Sequence, residues 1–267
     1  MKLLHFSDIH IGLVPQGMRW LLDKRILGEA TQFLRRRRRQ HLEAVPALLE
    51  LARAIQPDVI ACTGDLTAVA APREFERALE LLEPFRKLVG EGRFFYVPGN
   101  HDAYVNDSAV VLARRRAVER LNGLDGGGAL PLERTVDSVR FFCLDGAVPM
   151  PPWKSGGCMA ARMMDELEQR LAAVRKADER RVVLSHFPVT DAGGRRLGWR
   201  RRAEGDERLG VLIAKGAADV LLCGHIHRPF ANSVGACRQV CAGSLTLSRS
   251  AFLLELESGI AVKKLDV

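Results

Sequence analysis

The stretch LLHFSDIH, residues 3–10, places an apolar run directly before an aspartate and a histidine. A short apolar run bounded by polar residues is typical of a buried strand. Four later apolar runs end in the same way, at GD (64–65), GNHD (99–102), SH (185–186) and GHIH (224–227). Because ligands collect at the carboxyl ends of strands in α/β folds, we expect these five strand ends to form one site.

Segments with helical spacing of apolar residues separate these strands. The spacing predicts helices over residues 41–55, 72–89, 108–121, 160–176 and 207–217. The tail carries short β-like runs at 237–241, 251–255 and 259–265. This order predicts an α/β fold, a four-layer α/β/β/α sandwich of two mixed sheets flanked by helices, with the late strands supplying the second sheet. No repeat or long linker is visible, so we expect a single domain over residues 1–267.

The composition restricts the class of protein. The 267 residues are 47% hydrophobic and 27% charged, as in globular proteins, and their net charge of +8 favours anionic partners. Six cysteines without a CxxC pair indicate a reducing compartment. Asp8 interrupts the N-terminal apolar run, which argues against a signal peptide, and no stretch reaches the ~18 apolar residues of a membrane span. We expect a cytoplasmic protein, with peripheral contact at the inner membrane surface as an open alternative.

The strand ends offer more metal ligands than one ion needs. A mixture of imidazole and carboxylate suits Mn, Fe or Zn better than an all-oxygen set would. We therefore expect two metal ions as cofactors, with Asp65 as the natural bridge between them. The candidate metal ligands are Asp8, His10, Asp65, Asn100, His186, His225 and His227.

Two adjacent metal ions suit phosphoester hydrolysis. They generate hydroxide at neutral pH, bind phosphoryl oxygens and stabilise charge on the attacking and leaving oxygens. A hydroxide that bridges the two ions is the predicted nucleophile. His101, next to Asn100 but outside the ligand set, is the predicted general acid, and such a group contributes about 10²–10⁴-fold. Asp102 is expected to orient His101 from behind.

In this order, the motifs DIH, GDLT, GNHD, SHFP and GHIH resemble those of the calcineurin-like metallophosphoesterases, in particular the bacterial cyclic-nucleotide phosphodiesterase and UDP-diacylglucosamine pyrophosphatase branch. The resemblance extends from residue 3 to residue 246. It implies one metal held by Asp8, His10, Asp65 and His227. It implies a second metal held by Asp65, Asn100, His186 and His225. His101 takes the place of the family's catalytic histidine.

Residues 16–39 form a basic segment with apolar residues at four-residue spacing and five consecutive arginines, 35–39. A basic amphipathic helix can lie on an anionic membrane or bind a partner, whereas an ordinary surface helix would pack the same residues on the core. Because the segment follows His10 closely, we expect it beside the metals, where it could wall the substrate pocket. A second basic cluster, at 195–196 and 200–202, also borders the site by position and could bind phosphate.

These observations predict a dinuclear metal-dependent phosphoesterase. Small soluble phosphoesters rank first as substrates, and a lipid-linked pyrophosphate of the UDP-2,3-diacylglucosamine type ranks second. A nuclease ranks third, because two tyrosines and three tryptophans suggest no aromatic platform for stacking bases. A scaffold of the same fold without turnover is the alternative from another class. It would have lost ligands, whereas all seven candidates and His101 are present.

Overall fold

The computed structural model describes residues 1–12, 41–124, 127–257 and 259–267. The predicted basic segment 16–39 therefore lies outside the described residues. The described residues form eleven strands in two sheets, together with five helices. No helix among them combines the length and the apolar character needed to cross a membrane.

The first sheet has five strands in the order β11-β10-β1-β2-β3. Strands β1, β2 and β3 run parallel, β10 pairs antiparallel with β1, and β11 pairs antiparallel with β10. The side chains of β2 and β3 are buried throughout, which explains why both strands are continuous apolar runs. The bounds are β1 Lys2–Phe6, β2 Val59–Cys62, β3 Phe94–Tyr96, β10 Ser250–Glu255 and β11 Ala261–Asp266.

The second sheet has six strands in the order β4-β5-β6-β7-β9-β8. The four inner strands run parallel, and the two edge strands, β4 and β8, pair antiparallel with their neighbours. The bounds are β4 Leu132–Val136, β5 Val139–Cys143, β6 Arg180–Leu184, β7 Val220–Cys223, β8 Phe230–Val234 and β9 Cys237–Cys241. The expectation that the late strands supply the second sheet was wrong in part, because β10 and β11 extend the first sheet.

The helices lie where the apolar spacing predicts them. Asp107 caps the third helix, since its carboxylate accepts from the backbone N–H of Ala109 at 2.9 Å, and Gly123 ends that helix with a left-handed φ of 59°. The second helix begins with Pro72, which suits a first helical turn. The bounds are α1 Ala44–Ile55, α2 Pro72–Val89, α3 Ser108–Asn122, α4 Ala161–Ala172 and α5 Asp206–Ala214.

Three apolar clusters separate four layers. One joins the first sheet to α1, α2 and α3, and includes the Phe6–Phe85 contact with ring centroids 5.5 Å apart. The second lies between the sheets, where Phe95 stacks on Phe141 at 4.3 Å. The third joins the second sheet to α4 and α5. The predicted α/β/β/α sandwich of two mixed sheets is confirmed.

Candidate metal centre

Hydrogen bonds join the ends of strands from both sheets. The backbone N–H of His225, after β7, donates to Asp8 Oδ2, after β1, at 3.0 Å. Nδ1 of His186, after β6, donates to the carbonyl of Thr63, after β2, at 2.6 Å. The backbone N–H of His101, after β3, donates to Asp65 Oδ1 at 2.7 Å. The structure thus brings together all seven candidate ligands and His101, although their roles as ligands stay a prediction.

The backbone of the candidate ligands is unusual. Five of the seven adopt a left-handed conformation, which costs a residue with a side chain about 1–3 kcal/mol and marks functional sites. Backbone hydrogen bonds hold the first loop in this shape, from Asp8 to the carbonyl of Gly64 and from His10 to that of Asp65, both at 2.9 Å. The φ angles are 57° for Asp8, 51° for His10, 53° for Asp65, 73° for His225 and 53° for His227.

Glycines let these loops approach each other. A Cβ at Gly224 would overlap Ser7 Oγ and Asp8 Oδ2, and one at Gly99 would overlap the carboxylate of Asp65. Any larger residue at either glycine would therefore displace a candidate ligand. Gly99 and Gly224 are therefore part of the site for a steric reason.

A first cluster consists of Asp8, His10, Asp65 and His227. Nε2 of His10 lies 2.8 Å from Nε2 of His227, and Asp8 Oδ1 lies 3.1 Å from that same His227 atom. Each of the four residues offers a ligand atom, and these atoms all lie within 4.8 Å of one another. Burial disfavours charge on Asp8, yet the adjacent His10 and His227 hold its pKa well below its ordinary value.

The first cluster fits a metal ion. Asp8 Oδ1 is buried and has no hydrogen-bond partner among the described residues, which is costly for a carboxylate oxygen. Two imidazole nitrogens face each other beside it. A cation among these atoms would satisfy all three, and the mixture of imidazole and carboxylate suits Mn, Fe or Zn.

A second cluster surrounds the Asn100 side chain. Asn100 Oδ1 lies 2.9 Å from His225 Nδ1 and 3.2 Å from His186 Nε2. The other nitrogen of each ring faces a backbone carbonyl, that of Arg201 at 2.8 Å and that of Thr63 at 2.6 Å. Because each ring donates to a carbonyl, its second nitrogen can offer a lone pair beside the Asn100 oxygen. This arrangement also fits a cation.

The pKa values of the two histidines show the local preference for charge. Burial disfavours charge on His186, but the Asp65 carboxylate raises its pKa to about 10, so the position next to Asp65 strongly favours a positive charge. Burial lowers the pKa of His225 to about 3, so its ring stays neutral, which is the form that binds metals.

Asp65 lies between the two clusters. Asp65 Oδ1 accepts a hydrogen bond from the backbone N–H of His101. Asp65 Oδ2 lies 3.8 Å from His10 Nε2 and 3.4 Å from His186 Nε2. Burial opposes its charge, yet His186 and His101 hold the pKa of Asp65 below its ordinary value. One ionised oxygen thus faces both clusters, the arrangement that a bridging ligand requires.

His101 is held by a backbone carbonyl. Its Nδ1 donates to the carbonyl of Ala68 at 2.6 Å, and its ring stacks on Tyr104 with centroids 5.5 Å apart. Nδ1 is therefore committed to this bond, so any proton exchanged with a substrate must pass through Nε2.

Asp102 holds two loops together. The sequence predicted that Asp102 orients the ring of His101. In the structure the Ala68 carbonyl binds this ring, and the Asp102 carboxylate accepts hydrogen bonds from other groups. These donors are the backbone N–H groups of Leu66, Thr67 and Gly99 and the hydroxyls of Thr67 and Tyr96. Asp102 thus fixes the loop that carries Asp65 against the loop that carries Asn100.

A cavity of about 170 Å³ opens onto both clusters. Arg201 belongs to the basic cluster that the sequence places near the site, whereas nothing in the sequence singled out Ser155. Two exposed tryptophans, Trp153 and Trp199, lie two residues before these side chains. The lining residues are Asp65, Asn100, His101, Ser155, Arg201, His225, Ile226 and His227.

Comparisons with known proteins agree with this geometry. The sequence model of the calcineurin-like phosphoesterase family matches residues 1–229. No curated protein matches the chain in sequence.

Solved structures share the fold. A dimetal phosphatase from Danio rerio is 15% identical with a TM-score of 0.63, and the match covers 98% of this chain and 95% of that one. A purple acid phosphatase from yellow lupin is 12% identical with a TM-score of 0.63, over 99% of this chain and 51% of that one. A sulfate thiohydrolase from Thermus thermophilus is 17% identical with a TM-score of 0.53, over 99% and 56%.

Proposed function

The chain belongs to the calcineurin-like phosphoesterases and is a metal-dependent phosphoester hydrolase, and on this premise we propose that it uses two metal ions to hydrolyse a small soluble phosphoester. One observation carries the proposal. The two ligand clusters share Asp65 and open into the same cavity as His101. A substrate phosphoryl group in that cavity would meet both clusters and a proton donor at once.

The residues of the two clusters would each hold one metal ion. Asp8, His10, Asp65 and His227 would hold one ion, and Asp65, Asn100, His186 and His225 would hold the other. When bound, such ions lower the pKa of water towards 7 and neutralise phosphoryl charge. The ligand geometry is prepared in advance, because Thr63 and Arg201 carbonyls orient the rings of His186 and His225.

His101 would protonate the leaving oxygen. Its Nδ1–H···O bond to Ala68 stabilises the charged imidazolium, and Nε2 would deliver the proton. The ring lines the cavity and packs edge-on against His10, with centroids 4.8 Å apart. The acid therefore stands next to the metal ligands, where a leaving alkoxide would appear.

A turnover panel on metal-reconstituted protein tests the proposal. The panel contains p-nitrophenyl phosphate, bis-p-nitrophenyl phosphate, cyclic AMP and a UDP-linked acyl sugar in detergent micelles, each with Mn, Fe or Zn. Turnover of soluble esters that disappears with a chelator and returns with metal is the expected result. A protein that binds two metals per chain but turns over none of these substrates would contradict it and favour a scaffold.

The exposed tryptophans favour a second candidate, a lipid-linked pyrophosphatase. Trp153 is 64% exposed and Trp199 is 57% exposed, and each lies two residues before a residue that lines the cavity. Exposed tryptophan beside a charged site suits the interface between apolar chains and charged headgroups. Preferred turnover of the micellar pyrophosphate in the same panel would support this candidate, and an untouched lipid would reject it.

A further inference from the structure

We propose that Arg201 and Ser155 form an anion-binding subsite that holds the terminal phosphoryl group of a phosphomonoester. The inference rests on the proposed function and narrows its substrate class to doubly charged monoesters. It is argued from the position of the two residues, from the state of the neighbouring charges and from the chemistry of a guanidinium.

Two neighbouring β-turns carry the subsite. Lys154 N–H donates to the carbonyl of Pro151, and Arg201 N–H donates to that of Gly198, both at 2.9 Å. Ser155 N–H then donates to the carbonyl of Arg200 at 2.8 Å and joins the two turns. Each turn carries an exposed tryptophan, Trp153 or Trp199. Ser155 and Arg201, two residues after these tryptophans, line the cavity.

The two segments are locked together beyond the turns. Glu204 N–H donates to the carbonyl of Gly157 at 2.8 Å, and Met159 N–H donates to that of Glu204 at 2.7 Å. A Cβ at Gly156 would overlap the carbonyl of Arg202, so only glycine permits this approach. Arg201 and Ser155 therefore keep a fixed relation to each other.

The same backbone is tied to the metal centre. The carbonyl of Arg201 accepts the hydrogen bond from Nε2 of His225, at 2.8 Å. Arg201 thus fixes the ring of a candidate ligand through its main chain and is itself one of the residues that line the cavity. A phosphoryl group held by the second cluster would lie within reach of this guanidinium.

The neighbouring basic side chains are already engaged. Arg195 pairs with Asp191, Arg196 with Asp206 and Glu207, Arg202 with Glu207, and Lys154 with Glu204. Arg200 instead lies over the ring of Trp199, 5.3 Å from its centroid. Among the described residues, no carboxylate lies within 4.0 Å of the Arg201 guanidinium. Arg201 is exposed and lines the cavity, so its charge is available to an anion bound there.

This arrangement favours a dianion. A guanidinium donates two parallel hydrogen bonds to phosphoryl oxygens. The Ser155 hydroxyl donates a long bond of 3.4 Å to the Arg200 carbonyl, and rotation of the hydroxyl away from that carbonyl would supply a third donor. A monoester has three non-bridging oxygens and two charges, whereas a diester has two such oxygens and one charge. If the metal ions take two oxygens, the third oxygen of a monoester remains for Arg201, and a diester has none to offer.

The test compares Arg201→Met with Arg200→Met in metal-reconstituted protein. The control removes a guanidinium from the same turn, but one that lies over Trp199 rather than in the cavity. Metal content is measured for both variants, because the Arg201 carbonyl must still hold His225. The readouts are binding of inorganic phosphate by calorimetry and the steady-state constants for p-nitrophenyl phosphate and bis-p-nitrophenyl phosphate.

We expect Arg201→Met to weaken phosphate binding and to raise KM for the monoester by about tenfold, as loss of a charged hydrogen bond predicts. The diester constants should change by less than about threefold. Arg200→Met should change neither, and Arg201→Lys should recover part of the loss. Equal effects of the two Met variants, or equal losses on monoester and diester, would overturn the subsite. Absence of turnover by the unmodified protein would instead reject the proposed function, and phosphate binding would still test the subsite.

Discussion

Nε2 of His10 and Nε2 of His227 lie 2.8 Å apart, although 217 residues separate them in the chain. Two neutral imidazoles can share this contact only if one donates a proton, and a cation between them removes that restriction. Asp8 Oδ1, 3.1 Å from Nε2 of His227, adds a negative charge to the same point. The pair is therefore best explained as one half of a metal site.

Replacing His101 should separate metal binding from proton transfer. We expect His101→Gln to keep both metals and the fold, but to lose about 10²–10⁴-fold in turnover of phenyl phosphate, whose leaving group needs a proton. Turnover of p-nitrophenyl phosphate should fall much less, because its leaving group is a weak base. Steady-state rates and metal content provide the measurement. Equal losses on the two esters would rule out the acid role.

Asp65→Asn should affect both ions at once. Asp65 Oδ2 faces both clusters, so loss of its charge weakens both sites, and we expect metal content to fall from two ions per chain to fewer than one. Metal analysis after dialysis gives the measurement. Asp58→Asn is the matched control, since the Asp58 carboxylate accepts from the N–H of Lys2, at the start of β1, at 2.6 Å. A variant that still binds two ions would contradict the bridging role.

Gly224→Ala should disturb the site by steric overlap with the loop that follows β1. The new methyl group would overlap Ser7 Oγ and Asp8 Oδ2, so we expect at least about tenfold weaker metal binding, in the range found when groups that support ligands are lost. Gly210→Ala in α5 is the control, because its methyl group would lie 4.0 Å from Val189 and should stabilise the helix by about 0.5–1 kcal/mol. Metal titration and urea unfolding distinguish the two. Unchanged metal affinity in Gly224→Ala would show that the two loops can move apart, and it would contradict the steric role of this glycine.

Burial of His5 should make the metal-free protein sensitive to acid. Burial lowers the pKa of His5 to about 3, so the folded protein leaves this ring neutral while the unfolded chain protonates it below pH 6.5. Stability from this residue is complete above pH 6.5 and falls as the pH decreases towards 3. Between pH 7 and pH 5 the free energy of unfolding should drop by about 2 kcal/mol from His5 alone.

His5→Phe removes that titration. Urea unfolding of chelator-treated protein at the two pH values should show a correspondingly smaller drop for the variant. The comparison cancels the other titrating groups, which are common to both proteins. The same drop in both would mean that His5 is not the group responsible.

Much of this architecture could be predicted because burial leaves a clear trace in the sequence. Strands β2, β3 and β7 are buried on both faces and read as apolar runs, and α2 shows its apolar stripe from Pro72 onward. The two missed strands, β4 and β8, are half-buried edge strands with polar residues such as Glu133 and Asn232, so their pattern resembles that of a loop.

The site could be predicted as a set of residues but not as a set of contacts. Asp, His and Asn after apolar runs predicted which residues the structure brings together, since the carboxyl ends of strands share one edge. The choice of Ala68 rather than Asp102 as the partner of His101 depends on how two loops fold back, and neither residue's type decides that. Ser155 likewise reaches the cavity only because its turn pairs with that of Arg201.

The hydrogen bond from His225 to Asp8 has a consequence for biosynthesis. It joins the end of β1 to the end of β7, which is synthesised more than two hundred residues later. Within the first sheet, β1 also cannot pair with its antiparallel partner β10 until β10 has been synthesised. The candidate ligands cannot come together until β7 has emerged, so metal uptake during translation would report a late stage of folding rather than guide its early steps.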